Sequence, residues 1–102
     1  MTYVTALSAL SDPTRRAIFE AVATRPRSVA ELASTQPVSR PAVSQHLKVL
    51  AEARLVRATP KGTRRIYALD PAGLNALRSY LDQFWTDTLG AYAAEVTRQT
   101  QT

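Results

Sequence analysis

The sequence contains no cysteine and only one histidine, His46, among its 102 residues. Without cysteine the chain cannot form disulfides, thiolate zinc sites or thiol redox switches. A single imidazole is also not enough to hold a metal ion, because protein metal sites draw on several side chains. The sequence therefore predicts no metal site and no cofactor.

Long apolar runs are missing too, because no stretch approaches the roughly 20 residues that span a membrane. The first residues offer neither the basic region nor the apolar core of a signal peptide. Apolar residues make up 45% of the chain, which is too many for a disordered segment. We expect one small domain over residues 1–102, located in the cytoplasm and without a membrane partner.

Acidic residues are scarce in one quarter of the chain, although the formal net charge of the whole is only +5. Residues 40–65 hold seven Lys and Arg residues and one acidic residue, Glu52. That quarter therefore carries +6, and the rest of the chain carries −1. A localised positive excess favours a nucleic-acid surface over a generally basic protein.

Residues 39–56 predict an amphipathic helix with a marked start. Ser39 is a good N-cap, and Pro41 falls in the first turn, where a missing N–H has no cost. The predicted buried stripe is Val43, Leu47 and Leu50. The opposite face carries Arg40, Ser44, Gln45 and Lys48. An ordinary solvated face is the alternative, but such faces usually mix both charge signs, and this one suits DNA bases and phosphates.

Shorter helices precede this one. Residues 2–10 form a weak helix, and Asp12 followed by Pro13 starts a stronger one. Arg15 and Arg16, near its start, either reach a phosphate or lie in solvent. Ser28 and Glu31 then make a capping box. Two capped helices joined by a tight turn predict a helix-turn-helix over residues 28–54.

A β-hairpin is predicted over residues 55–69. Strands at 55–59 and 64–69 flank a loop at 60–63, where Gly62 permits a positive φ. Lys61 lies at the tip, with Arg64 and Arg65 on the return strand. A surface hairpin with ordinary cations is the alternative. Its position directly after a basic helix favours a second contact to DNA.

A long helix is predicted from Asp70 and Pro71 onward, and Gly90 is expected to bend or end it. Its apolar side carries Leu74, Leu77, Leu81, Phe84, Trp85, Thr88, Leu89 and Tyr92. One small domain cannot cover so much apolar surface, which favours association with a second copy. The alternative is that the leucines pack on their own domain and the aromatic residues cap its end.

The chain resembles the ArsR-type winged helix-turn-helix repressors. The resemblance rests on LSDPTRR at 10–16, ELA at 31–33 and, above all, SRPAVSQHLKVL at 39–50. It implies a mainly α fold with a small β-hairpin wing and a long C-terminal dimerisation helix. It also implies a homodimer in which helices 2–10 and 71–96 pair, and which represses promoters. Any small-molecule effector is unknown.

Carried over by position, the resemblance assigns two sets of residues. The residues that would face DNA are Ser39, Arg40, Ser44, Gln45, His46, Lys48, Lys61, Arg64 and Arg65. For His46, a phosphate contact competes with structural packing. The residues of the dimer interface would be Tyr3, Leu7, Leu77, Leu81, Phe84, Trp85, Thr88 and Tyr92.

Two positions depart from the family pattern. Many members sense metal through cysteines at the positions of residues 29–35, or through His and carboxylate ligands on the last helix. Residues 29–35 contain no cysteine, and the last helix has acidic residues but no imidazole. In addition, Arg54 stands where the family commonly has glycine. Either Arg54 adopts a left-handed backbone conformation, at a cost of roughly 1–2 kcal/mol, or the helix ends differently.

The leading hypothesis is a sequence-specific, homodimeric DNA-binding repressor that recognises an inverted repeat in double-stranded DNA. The alternative is a winged-helix interaction module that binds an acidic protein or RNA. An enzyme is not expected, because no nucleophile paired with a base, no phosphate loop and no metal cluster is visible in the sequence.

Overall fold

Short helices precede a small sheet and one long helix in the computed structural model, which describes residues 2–100. The helices before the sheet are α1 (Thr2–Ala9), α2 (Pro13–Thr24), α3 (Val29–Thr35) and α4 (Arg40–Glu52). The strands are β1 (Arg27–Ser28), β2 (Val56–Lys61) and β3 (Arg64–Leu69). Helix α5 (Pro71–Gln83) continues through a π-helical segment (Phe84–Leu89) into α6 (Gly90–Thr100). The predicted fold, a mainly α winged helix-turn-helix with a long C-terminal helix, is confirmed.

The helix starts follow from local side chains. The Asp12 carboxylate accepts from the Arg15 amide at 2.9 Å, and the Ser39 hydroxyl accepts from the Ala42 amide at 3.3 Å. Asp70 caps α5 in the same way. Such caps satisfy amide groups that have no partner inside the helix.

The sheet has the order β1-β3-β2, and both pairings are antiparallel. Strand β1 was not predicted, because two residues are too few to show the alternation of apolar and polar side chains that is typical of a strand. The predicted wing loop at 60–63 is also too long. Pro60 and Lys61 pair with β3, so the turn is only Gly62 and Thr63, and the φ of Gly62 is 65°.

The core lies between α2, α3, α4 and the sheet. Its fully buried side chains include Ile18, Val22, Leu32, Val43, Leu47, Leu50, Leu55 and Val56. Leu74 and Leu77 of α5 pack against this core and are half-buried. Leu77 therefore belongs in part to its own domain, which qualifies its assignment to a dimer interface.

The long helix (71–100) extends beyond the core, and the molecule measures 68 × 24 × 22 Å. Gly90 does not end the helix, because its backbone is helical with φ −62° and ψ −44°; a bend at Gly90 stays a prediction. An exposed glycine weakens a helix without breaking it. Across residues 2–100, no helix is long and apolar enough to cross a membrane.

Helix α4 ends at a residue in the left-handed conformation, as one of the two sequence alternatives expected. The φ of Arg54 is 58°. The Arg54 amide donates to the Ala51 carbonyl and the Leu55 amide donates to the Leu50 carbonyl, each at 3.0 Å. This pair of bonds is the Schellman motif, in which glycine is the usual residue.

Candidate nucleic-acid interface

Helix α4 presents one face to the core and the other to solvent. Val43, Leu47 and Leu50 are completely buried, so the rotation of the helix is fixed. Because residues on the opposite side must then point outward, its polar side chains are exposed: Arg40, Ser44, Gln45 and Lys48. Ser39 is exposed as well, and its hydroxyl is used in the N-cap.

The wing lies beside this exposed face. A cleft of about 630 Å³ separates α4 from the sheet, and its lining includes Ser44, Gln45 and Lys48 from α4. Arg65 and Tyr67 of β3 line the other side. The structure therefore brings the polar face of α4 and one wing arginine together, while Lys61 is exposed near the hairpin turn.

A second cleft, of about 700 Å³, lies between α3, the start of α4 and the wing. Its cations are Arg40, Arg64 and Arg65. The antiparallel pairing of Ser28 with Ile66 forms this cleft, because it holds the start of α3 beside the return strand. Ser34 and Thr63 also line this cleft. The sequence did not indicate them, because the cleft depends on the pairing of a two-residue strand.

The one acidic residue lining this second cleft is already paired. The Glu31 carboxylate accepts from the Ser28 amide at 3.1 Å and from the Arg25 guanidinium at 3.2 Å. The Ser28 bond first, and Arg25 in addition, hold the pKa of Glu31 below its usual value. The ion pairs within residues 2–100 involve Arg25, Arg78 and Arg98, so Arg40, Arg64 and Arg65 have no carboxylate partner there. The cleft thus suits an anion.

His46 occupies a different position from the other candidate DNA contacts. Its side chain is half-buried, and its charge helps to lower the pKa of the Asp12 carboxyl, after the larger effect of the Arg15 amide. His46 therefore lies near the start of α2. A phosphate contact by His46 stays a prediction.

Arg15 and Arg16 have a structural role that the sequence did not reveal. The Arg15 guanidinium donates to the carbonyls of Ala9 and Ser8, and Arg16 donates to the carbonyl of Leu10 at 2.9 Å. Ser8 and Ala9 are the last two residues of α1 and Leu10 follows it, so these carbonyls have no partner within the helix. The two arginines therefore cap α1 and join it to α2.

A second surface runs along α1 and the long helix. Trp85, Tyr92 and Leu81 are 70%, 68% and 53% exposed. The other large apolar side chains exposed on these two elements are Val4, Leu7, Tyr80, Phe84 and Val96. Tyr3 is half-buried and Thr88 is exposed. All the residues named in this paragraph together are called the apolar stripe below.

Metal ligands do not cluster on either surface. Within residues 2–100, no three His, Asp or Glu side chains come close enough together to hold a metal ion.

Comparison with known proteins agrees with this geometry. A family model described as a helix-turn-helix domain matches residues 10–58. The chain is 64% identical over 88 residues to the HTH-type transcriptional regulator Rv2034 of Mycobacterium tuberculosis (strain ATCC 25618 / H37Rv), covering 86% of this chain and 82% of that protein. The chain belongs to the ArsR-type family of winged helix-turn-helix transcriptional regulators.

A solved structure and a second relative extend this result. The ArsR-like transcriptional regulator from Rhodococcus sp. RHA1 superposes with a TM-score of 0.82 at 30% identity, covering 91% of this chain and 88% of that one. The transcriptional repressor SmtB homolog of Synechocystis sp. (strain ATCC 27184 / PCC 6803 / Kazusa) is 37% identical over 76 residues, which are 74% of this chain and 58% of that protein. DNA-binding transcriptional regulation is the function of this chain.

Proposed function

We propose that this chain is a homodimeric cytoplasmic repressor that binds an inverted repeat in double-stranded DNA. One observation carries the proposal: an exposed apolar stripe and a basic face, drawn from a segment with seven cations and one acidic residue, occupy different parts of one small chain. The basic face suits DNA, and the stripe suits a second copy. The segments that would pair are 2–10 and 71–96.

The apolar stripe supports self-association because its exposed side chains recur along the long helix from Tyr80 to Val96. The Gly90 amide bonds the Trp85 carbonyl, five residues back. Such a turn holds more residues than an α-helical turn, so it changes the angular position of the residues after 89 relative to those before 84. Tyr92 and Val96, which follow this turn, are exposed apolar side chains as well. Large exposed apolar patches on soluble proteins usually mark association sites.

The residues of the basic face have proposed roles in DNA binding. Gln45 reads bases, since its amide can pair with adenine in the major groove. Arg65 and its neighbours contact phosphates, which position a protein on the duplex. The full set on α4 is Ser39, Arg40, Ser44, Gln45, His46 and Lys48, and the set on the wing is Lys61, Arg64 and Arg65.

Repression is the proposed outcome of binding. One relative is a repressor homolog. A dimer that holds two α4 helices in successive major grooves, about 34–36 Å apart from centre to centre, would cover one side of the duplex over that distance and beyond. Occupying a promoter in this way blocks access to it.

Selection of bound sequences from random duplex DNA tests the proposal, with sedimentation run in parallel. We expect a dimer and an inverted repeat whose half-sites are about one helical turn apart. Duplex RNA of matched length is the control and should bind weakly and without sequence preference. A monomer in sedimentation, or selected sequences without two-fold symmetry, would contradict the proposal.

A further inference from the structure

The end of α4 and the start of the long helix are joined backbone to backbone. The Gly73 amide donates to the Arg54 carbonyl at 2.8 Å, and the Asp70 amide donates to the Leu55 carbonyl at 3.0 Å. Amides in the first turn of a helix have no partner within that helix. Here the chain segment that ends α4 supplies the partner for Gly73, so the two helices are held at a defined separation.

Only glycine permits this separation. A Cβ atom at residue 73 would lie 2.5 Å from the Ala53 carbonyl oxygen and 2.7 Å from that of Arg54. Both are backbone atoms, so neither can move aside by a change of rotamer. Gly90, in the same helix, has no atom within 4 Å of the equivalent position.

The other side of the contact is constrained as well. Arg54 has a φ of 58°, a left-handed conformation that strains a non-glycine residue. In this conformation its amide closes the end of α4 while its carbonyl faces Gly73. Two unusual backbone features therefore meet at one point, between the DNA-facing helix and the helix that carries the apolar stripe.

We propose that Gly73 is a positioning residue that sets the angle between α4 and the long helix, and thereby the half-site spacing that the dimer accepts. The inference rests on the proposed dimer. Trp85 lies twelve residues beyond Gly73, about 18 Å along the helix. A change of helix angle caused by a shift of several tenths of an ångström at the contact therefore displaces Trp85 by more than it displaces Gly73. Because both copies change in the same way, two-fold symmetry doubles the change in the distance between the two α4 helices. Specificity for spacing is set at a residue that does not contact DNA.

Selection from random duplex DNA by the full chain, comparing Gly73→Ala with Ser79→Ala, tests this proposal. Ser79→Ala changes an exposed side chain of the same helix, away from the contact and on a different side from Leu81, and should select the wild-type repeat with its spacing. Gly73→Ala should select the same half-site sequence with an altered or variable spacing. On duplexes whose spacer differs by one base pair, wild type should lose affinity about tenfold, and Gly73→Ala should lose much less.

The folding of Gly73→Ala is checked by circular dichroism before selection. If that variant does not fold, the double variant Arg54→Gly/Gly73→Ala replaces it, because a glycine at residue 54 lets the carbonyls withdraw. A folded variant that keeps both the wild-type spacing and the wild-type affinity overturns the proposal, and so does failure of both variants to fold. If wild type itself selects no inverted repeat, the proposed dimeric function fails, whatever Gly73→Ala does.

Discussion

The aromatic rings of Tyr3 and Tyr80 stack face to face, with their centroids 4.3 Å apart and their planes 3° from parallel. Tyr3 belongs to α1 and Tyr80 to α5, so the stack joins the two elements that carry the apolar stripe. A third ring, that of Phe84, lies 6.3 Å from Tyr80. The stack therefore helps to determine which sides of α1 and the long helix remain exposed.

This stack should contribute a measurable coupling free energy. Tyr3→Leu and Tyr80→Leu keep apolar bulk, so a double-mutant cycle isolates the interaction of the rings. We expect a coupling of about 0.5–1.5 kcal/mol, measured by urea unfolding at one fixed protein concentration. The pair Tyr3→Leu with Val96→Ala is the control and should show none. Equal couplings for the two pairs would mean that the stack does not stabilise the protein.

Arg54 provides a separate test of backbone strain. Asparagine tolerates the left-handed conformation better than most residues do, whereas alanine does not. Arg54→Asn should therefore have a free energy of unfolding higher than Arg54→Ala by about 1 kcal/mol. Both variants remove the same charge, so the comparison isolates the backbone. Equal stabilities by urea unfolding would indicate that residue 54 carries no strain.

The helices were predictable from the sequence because their determinants are local. An N-cap such as Asp12 or Ser39 lies within three residues of the amide that it satisfies, and the buried stripe of α4 repeats at helical spacing. Together these fix which side of α4 faces solvent. For that reason, the exposure of Gln45 and Lys48 could be predicted without a structure.

The features that the sequence did not reveal depend on contacts distant along the chain. Strand β1 exists only because Ser28 pairs with Ile66. The role of Gly73 depends on carbonyls some twenty residues earlier in the chain, and nothing in its own neighbourhood indicates it. Arg15 could not be distinguished from a phosphate ligand until its carbonyl partners in α1 were located.

Base readout by Gln45 predicts a loss confined to specific binding. A good bidentate contact discriminates against the wrong base by about 1–3 kcal/mol. Gln45→Ala should weaken binding to the selected operator by about this amount and leave binding to random duplex nearly unchanged. Fluorescence anisotropy with the two duplexes measures both. An equal loss on both would show that Gln45 does not read bases.

Arg65 is expected to contact phosphate, which predicts a change in salt dependence. Each phosphate contact contributes about 0.9 to the slope of log affinity against log salt concentration. Arg65→Ala should lower the magnitude of the slope by about this amount on operator and random duplex alike. Arg78→Ala is the matched control, because it removes the same charge from the long helix, where Arg78 is exposed. Identical slopes for the two variants would exclude a backbone contact by Arg65.

The last prediction concerns the apolar stripe and its proposed partner, a second copy of the chain. Leu81 is 53% exposed in the single chain, so a charge there is solvated in the monomer. In a dimer the same charge would be buried without a partner, which is costly. Leu81→Glu should therefore be a folded monomer in sedimentation, with helical circular dichroism preserved and operator binding largely lost.

Ser79→Glu is the matched control, since it places the same charge two residues earlier on a different side of the exposed helix. It should remain a dimer and bind the operator as wild type does. If Leu81→Glu unfolds while Ser79→Glu does not, residue 81 belongs to the domain's own core. If Leu81→Glu stays a dimer with normal binding, the two copies associate through a different surface, because a buried, unpaired carboxylate would not be tolerated in this one.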